Sequence, residues 1–308
     1  MHPTTEPNAK PLDAIDPADL LETLEPTPDL MDLSGYLGGA HLSEDARLLT
    51  DFWRRYFDDP QTPKASQKRA HQLTPDLERE IARKLFPPPQ PVPRSTRHLL
   101  IVDIHTLHGL SRVANLVAEG MIDTVMITAH PDPEQTNPYF TAIARNRGAA
   151  VDRPTAAAAA ALETMLERAS GDHADAPQRP STPRMIELGT ARTLKQMVLL
   201  LRDPQSPNGV REGVEELIVA VRSFSALRTQ LTFTKLLPQL RIHLFPYDPH
   251  LAEDDRVVPI DRHHWSDSPL ASRLCATEFL KIRHNARRGD CAPWPDIASW
   301  LPPSAPRT

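Results

Sequence analysis

Four short polar clusters carry the residue types that can do chemistry in this chain. They are Asp103 with His105 and His108, His130 with Asp132, Glu187 with Thr190 and Thr193, and Ser223 with Ser225 and Arg228. Imidazoles and carboxylates move protons or bind metal ions. Hydroxyls and a guanidinium hold oxyanions, the guanidinium with two parallel hydrogen bonds. Each cluster also has a purely structural use. Asp103 and His105 can cap a following helix, His130-Pro131-Asp132 can be a turn, Thr190 can be an N-cap, and Arg228 can be a solvated helix charge. What unites them is position, because each follows a short apolar run.

Those apolar runs read as strands. Residues 98–104, 124–128, 185–188 and 217–221 are mainly apolar over lengths that suit buried strands. Between them lie stretches at helical spacing. Residues 107–119 are closed by Gly120, and residues 139–146 are bounded by Asn137-Pro138 and Gly148. Residues 154–169 include an alanine run that reads as a close-packed helix face, and residues 190–201 turn Leu194, Met197, Val198 and Leu201 inward. Residues 215–248 give the clearest unit, a strand, a polar turn at Arg222 to Ser225, a helix through Leu227 and Leu231, and a second strand at 241–245. Strands alternating with helices point to an α/β fold, a Rossmann-like three-layer parallel sheet with a helical N-terminal extension. In such sheets ligands bind beyond the carboxyl ends of the strands, where all of these clusters fall.

Residues 1–93 read as the extension, Pro-rich and partly disordered, with helices at 17–24, 43–57 and 74–86. Residues 94–250 form the α/β domain. Residues 251–308 supply an irregular stretch to 266, a C-terminal helix at 269–288 and a tail that Trp294 and Trp300 anchor. Arg283, Arg287 and Arg288 read as a solvated helix face. The 33 prolines against 11 glycines favour stiff linkers and leave little material for Gly-rich phosphate loops. A net charge of -5 argues against a general nucleic-acid surface. Cys275 and Cys291 have neither CxxC nor zinc-finger spacing and read as free thiols. The chain opens without a signal-peptide pattern and has no window of roughly 20 apolar residues, so the expectation is a cytoplasmic protein with no membrane contact. No G-x-S-x-G elbow surrounds Ser223 or Ser225, so a nucleophilic triad is not expected.

The third cluster carries a resemblance. Glu187, Thr190, Arg192, Thr193, Lys195 and Gln196 resemble the E-x-x-S-x-N-T-x-E-N motif of the YdcF/SanA/ElyC-like proteins, domain-of-unknown-function family 218. VRSFSALRT at 221–229 resembles that family's T-x-x-x-H-M-x-R-A segment, and Arg112 with Ala114 and Gly120 resembles its R-x-A helix. The resemblance implies a Rossmann-like sheet with a polar pocket at its strand ends and carries over Arg112, Glu187, Thr190, Thr193 and Arg228 as ligand-binding residues. Position at the strand ends adds Asp103, His105, Ser223 and Ser225 as candidates, and Gln196 enters from the motif segment itself. One family member binds S-adenosylmethionine, which makes that molecule a candidate ligand here. Lys195-Gln196 stands where the family has Glu-Asn, and Ser225 stands where it has histidine. Exchanging a carboxylate for a lysine turns the expected pocket toward anions.

The leading expectation is therefore binding of a nucleotide or S-adenosylmethionine-like anionic small molecule. Two alternatives stand beside it. Residues 129–134, AHPDPE, are similar to the AHPDDE motif of LmbE-like zinc deacetylases, which implies a metal-dependent hydrolase using Asp103, His105, His108, His130 and Asp132. The other is a non-catalytic interaction protein whose extension binds a protein partner.

Overall fold

The computed structural model describes residues 40–58, 75–87, 92–102, 104–120, 122–132, 136–171, 182–202 and 214–293. The expected helix at 17–24, the tail beyond 293 with Trp294 and Trp300, and Asp103 lie outside them.

Five strands form one sheet in the order β3-β2-β1-β4-β5, every neighbour pair parallel. They are β1 (His98–Val102), β2 (Thr124–Ala129), β3 (Arg184–Thr190), β4 (Glu216–Arg222) and β5 (Arg241–Tyr247). The central strands are apolar on both faces because helices cover both faces. Alternate side chains separate into two cores. Leu99, Ile101, Val125, Ile127, Ile218 and Ala220 enter one layer, while Leu100, Val102, Met126, Leu217 and Val219 enter the other.

The first layer is closed by α3 (Leu107–Ala118), α4 (Pro138–Asn146) and α5 (Pro154–Gly171). Ala156 to Ala161 are all buried, so the alanine run is the close-packed helix face it reads as. The second layer is closed by α6 (Leu194–Leu200) and α7 (Ala226–Leu236). The result is a mixed α/β fold with a parallel central sheet flanked by helices.

A third cluster lies where the first and last helices among the described residues meet. It joins Leu49, Trp53 and Phe57 of α1 (Ala40–Asp58), Ile81 and Leu85 of α2 (Pro75–Leu85), Phe224 after β4, and Leu274, Phe279 and Ile282 of α8 (Pro269–Arg287). The extension's helices thus share a core with the C-terminal helix. Thr50 of α1 also accepts a hydrogen bond from the Ala252 amide at 2.7 Å, in the hairpin β6 (His250–Glu253) and β7 (Arg256–Pro259).

Two expectations are corrected. Residues 250–266 are not irregular throughout, because β6 and β7 pair antiparallel there. Their turn is Asp254-Asp255, both at positive φ, without the glycine that advertises such a turn in sequence. The helix expected from 190 begins only at Leu194, with Thr193 as its N-cap; Thr190 is the last residue of β3. The ladder between β2 and β3 shifts register after Glu187, and Gly189 at φ 113 permits the irregular backbone that carries β3 past the expected stop.

Gly109 sits in the first turn of α3 against the buried Tyr247 ring. A Cβ there would lie 2.7 Å from the ring's nearest atom, closer than packed carbons tolerate. Gly109→Ala is expected to cost about 1–3 kcal/mol by overpacking, read from the midpoint of urea unfolding.

Candidate functional site

The strand order turns back between β1 and β4, the point where an open α/β sheet leaves a crevice at its carboxyl edge. A cleft of about 590 Å³ occupies that position. Val102 and His105 border it from the end of β1, and Val221, Arg222 and Ser225 from the end of β4. The segment between β3 and α6 adds Arg192, Thr193, Lys195 and Gln196. The extension contributes Phe52 and Trp53, and α8 with the residues after it contributes Lys281, His284, Arg288 and Asp290.

The lining is strongly cationic in a chain whose net charge is -5. Arg192, Lys195, Arg222, Arg228, Lys281 and Arg288 face one carboxylate on the wall, Asp290, and one behind it, Glu278. Glu278 is 2 % exposed and accepts hydrogen bonds from Arg228 Nε at 2.6 Å and Lys281 Nζ at 2.9 Å. Burial opposes its ionisation, but the guanidinium and the ammonium prevail and hold its carboxyl down at about 2. Asp290 accepts from Lys195 Nζ at 2.6 Å and pairs with Arg288 at 3.3 Å, and the Lys195 hydrogen bond leads in lowering its pKa. Each carboxylate therefore serves two cations, and positive charge remains in excess.

Two further cleft groups have defined states. Arg222 is buried with its guanidinium 5.3 Å from the Trp53 ring centre and 5.4 Å from that of Phe224. Ser225 is 2 % exposed, and its hydroxyl has no hydrogen-bond partner among the described residues.

The N-terminus of α3, which follows β1, is the usual seat of a dinucleotide's pyrophosphate in this strand order. Here it is already filled from within. Asp45 of α1 is 2 % exposed, and its carboxylate accepts hydrogen bonds from the His108 amide at 2.9 Å and Asn137 Nδ2 at 3.3 Å. Thr106 caps the same turn by accepting from the Gly109 amide. An anion entering the cleft would meet side-chain cations rather than this helix terminus.

The residues singled out in sequence separate accordingly. His105, Thr193, Gln196, Ser225 and Arg228 border the cleft. Arg112 lies on the exposed side of α3 with its guanidinium 5.8 Å from the Phe245 ring centre. Glu187 accepts a hydrogen bond from Thr155 at 2.8 Å and pairs with Arg153. Thr190 ends β3, and Ser223 donates to the Ile260 carbonyl at 2.9 Å. Sequence reading missed Phe52, Trp53, Lys281, His284 and Arg288 as cleft residues. A sequence marks α8's charged face as polar without saying what that face overlooks.

Among the described residues, no group of three or more His, Cys, Asp or Glu side chains is placed to hold a metal ion. His130 borders the cleft, and its Nδ1 accepts from the Asp132 amide at 3.2 Å, which places the proton of the neutral ring on Nε2. Burial raises the pKa of Cys275 and Cys291, so neither thiol is an activated nucleophile.

His108 packs edge to face on His250, their ring centres 5.1 Å apart. Burial, then the charges of His250 and Arg112, lower the His108 pKa from 6.5 to about 4. The folded state thus keeps this ring neutral where the unfolded chain protonates it. Its contribution is intact above pH 6.5 and is lost as pH falls toward 4. The loss amounts to about 3 kcal/mol across that window. Urea midpoints measured across it should fall less steeply in His108→Phe than in the native chain.

Comparison with protein-family models, with curated proteins and with solved structures returned no match. No helix among the described residues is long and apolar enough to cross a membrane.

Proposed function

We propose that this protein binds a phosphorylated small molecule in the cleft between the ends of β1 and β4. The observation that carries the reading is the excess of cationic side chains at the strand-order reversal of a net-acidic chain. The β3-β2-β1-β4-β5 order is that of a Rossmann-like sheet, so the expected ligand position and the cation cluster coincide. Guanidinium and ammonium groups recognise phosphate oxygens through charge-assisted hydrogen bonds. With α3's N-terminus taken by Asp45, side chains do what a glycine-rich loop does elsewhere.

The same charge weighs between the ligand classes that the sequence suggests. A nucleotide brings phosphates and gains from the cluster. S-adenosylmethionine brings a sulfonium cation and is opposed by it. Kinship with the YdcF/SanA/ElyC-like proteins belongs to this reading; of the residues that match the family's motifs, Thr193 and Arg228 share the cleft although they come from separate segments, while Arg112, Glu187 and Thr190 do not line it.

Thermal unfolding with a panel of small molecules tests the proposal. Inorganic triphosphate, pyrophosphate and nucleotides are expected to raise the midpoint, whereas adenosine and S-adenosylmethionine are not. A polyphosphate at about 100 times its dissociation constant adds about 2.7 kcal/mol, which is a shift of a few degrees. A protein unmoved by every polyphosphate, or moved by S-adenosylmethionine alone, would refute the assignment.

A further inference from the structure

The cleft's walls are unlike one another, and that difference restricts the ligand further. One wall is aromatic. Phe52, from α1, is stacked on His105, from the end of β1, with ring centres 5.4 Å apart and planes 26° from parallel. Both rings are half-buried at the cleft. Trp53 beside them is 4 % exposed and covered by the charges of Arg222 and Lys281, so it is committed to the protein's interior. Phe52 and His105 form the stacked ring pair within a ligand's reach, with the single rings of His130 and His284 elsewhere on the lining. The other wall, from the β3–α6 segment and the end of α8, carries the exposed cations. Arg192 is exposed, and the side chains of Lys195 and Arg288 are 41 % and 64 % exposed.

We infer that the cleft takes a nucleotide, with its base continuing the Phe52–His105 stack and its phosphates on Arg192, Lys195 and Arg288. This rests on the anion-site reading above and adds the base. A sugar phosphate or inorganic polyphosphate satisfies the cations alone and leaves the aromatic wall unused. A planar heterocycle gains by stacking on a preformed ring pair whose ordering cost folding has already met. The extension is thereby part of the site, since Phe52 belongs to it.

The test is calorimetry with two probes of matched charge, adenosine triphosphate and inorganic triphosphate. Each is titrated into the full chain and into Phe52→Leu and Phe52→Tyr. Leucine keeps the apolar contact of Phe52 with its neighbours but removes the aromatic face, and tyrosine keeps both. The native chain is expected to bind the nucleotide about tenfold or more tightly than inorganic triphosphate. Phe52→Leu should erase that difference while leaving inorganic triphosphate unchanged, and Phe52→Tyr should restore it. Equal affinity for both probes in the native chain would overturn the base assignment while the phosphate reading stands. A nucleotide preference untouched by Phe52→Leu would move the base off this wall and overturn the inference in the same way. Absence of binding by either probe would overturn both readings. Melting curves of the variants confirm that all are folded at the titration temperature.

Discussion

Replacing Asp45 by alanine should cost about 3 kcal/mol of unfolding free energy, an effect usually associated with emptying part of a core. Asp45 has little apolar surface to lose. What it supplies is a buried negative charge at the positive end of α3, hydrogen-bonded to the His108 amide and to Asn137. Alanine takes the Asp45 acceptor from the His108 amide and removes one of the two bonds of Asn137 Nδ2, which keeps its 2.9 Å bond to the His105 carbonyl. A buried donor left unsatisfied costs about 1–3 kcal/mol. Asp45→Asn preserves shape and one acceptor oxygen, so it should cost less than half as much. Urea unfolding of the two variants separates these terms. If Asp45→Ala proves as stable as the native chain, α1 is not fastened to the sheet through α3, and the extension's place at the cleft falls with it.

Glu278 should behave in a second, less common way. Its removal ought to destabilise the fold and tighten anion binding at once. The carboxylate is buried between Arg228 and Lys281, and breaking such a cluster leaves cations without their counter-charge at a cost of about 3–5 kcal/mol. Its lowered pKa points the same way. The folded pKa is held at about 2 against 4.5 in the unfolded chain, so the carboxylate's contribution is complete above pH 4.5 and is lost as pH falls through 2. That difference corresponds to about 3 kcal/mol. In the cleft the same substitution releases Arg228 and Lys281 toward a bound phosphate. Glu278→Gln should therefore lower the urea midpoint and raise the affinity for inorganic triphosphate, by roughly tenfold for one uncompensated charge at close range. Opposite signs in the two measurements distinguish this from a general loss of structure, which would weaken both.

The sheet was largely legible because its strands announce themselves. Runs such as LLIV at 99–102 and LIVAV at 217–221 can be satisfied only between two covered faces, and their alternation into two cores follows from the period of a strand. The β6–β7 hairpin was not legible, because its positive-φ turn is built from two aspartates. The start of α6 was misplaced because a register shift in β3 has no composition of its own. The edge on which a site belongs could be read from topology: His105, Thr193, Ser225 and Arg228, placed on that edge, border the cleft, as does Gln196, which came from the motif resemblance. The sign of the cleft's charge could be read from Lys195 and Arg228, but its extent could not. Lys281 sits on α8, whose periodicity shows a polar face, and Arg288 follows its last turn; only the tertiary fold turns both onto the cleft. Glu278 likewise looks like one more helix charge until Arg228, 50 residues earlier in the chain, arrives against it. Phe52 and Trp53 lay in a segment read as an appendage, and packing against Phe224 and α8 makes them part of the cleft.

The most direct measurement is the affinity of inorganic triphosphate for the native chain and for the Arg192→Glu, Lys195→Glu double variant, by calorimetry at low and at physiological salt. Both substituted side chains are at least partly exposed, and since Lys195→Glu gives up the pairing with Asp290, melting curves establish that the variant is folded at the titration temperature. The native chain should bind, and bind more weakly as salt rises and screens the cluster. The double variant should lose the interaction by about a hundredfold or more, since attraction at two positions becomes repulsion. Equal affinity in the two proteins, or no binding by the native chain at low salt, would contradict the assignment of this cleft to a phosphorylated ligand.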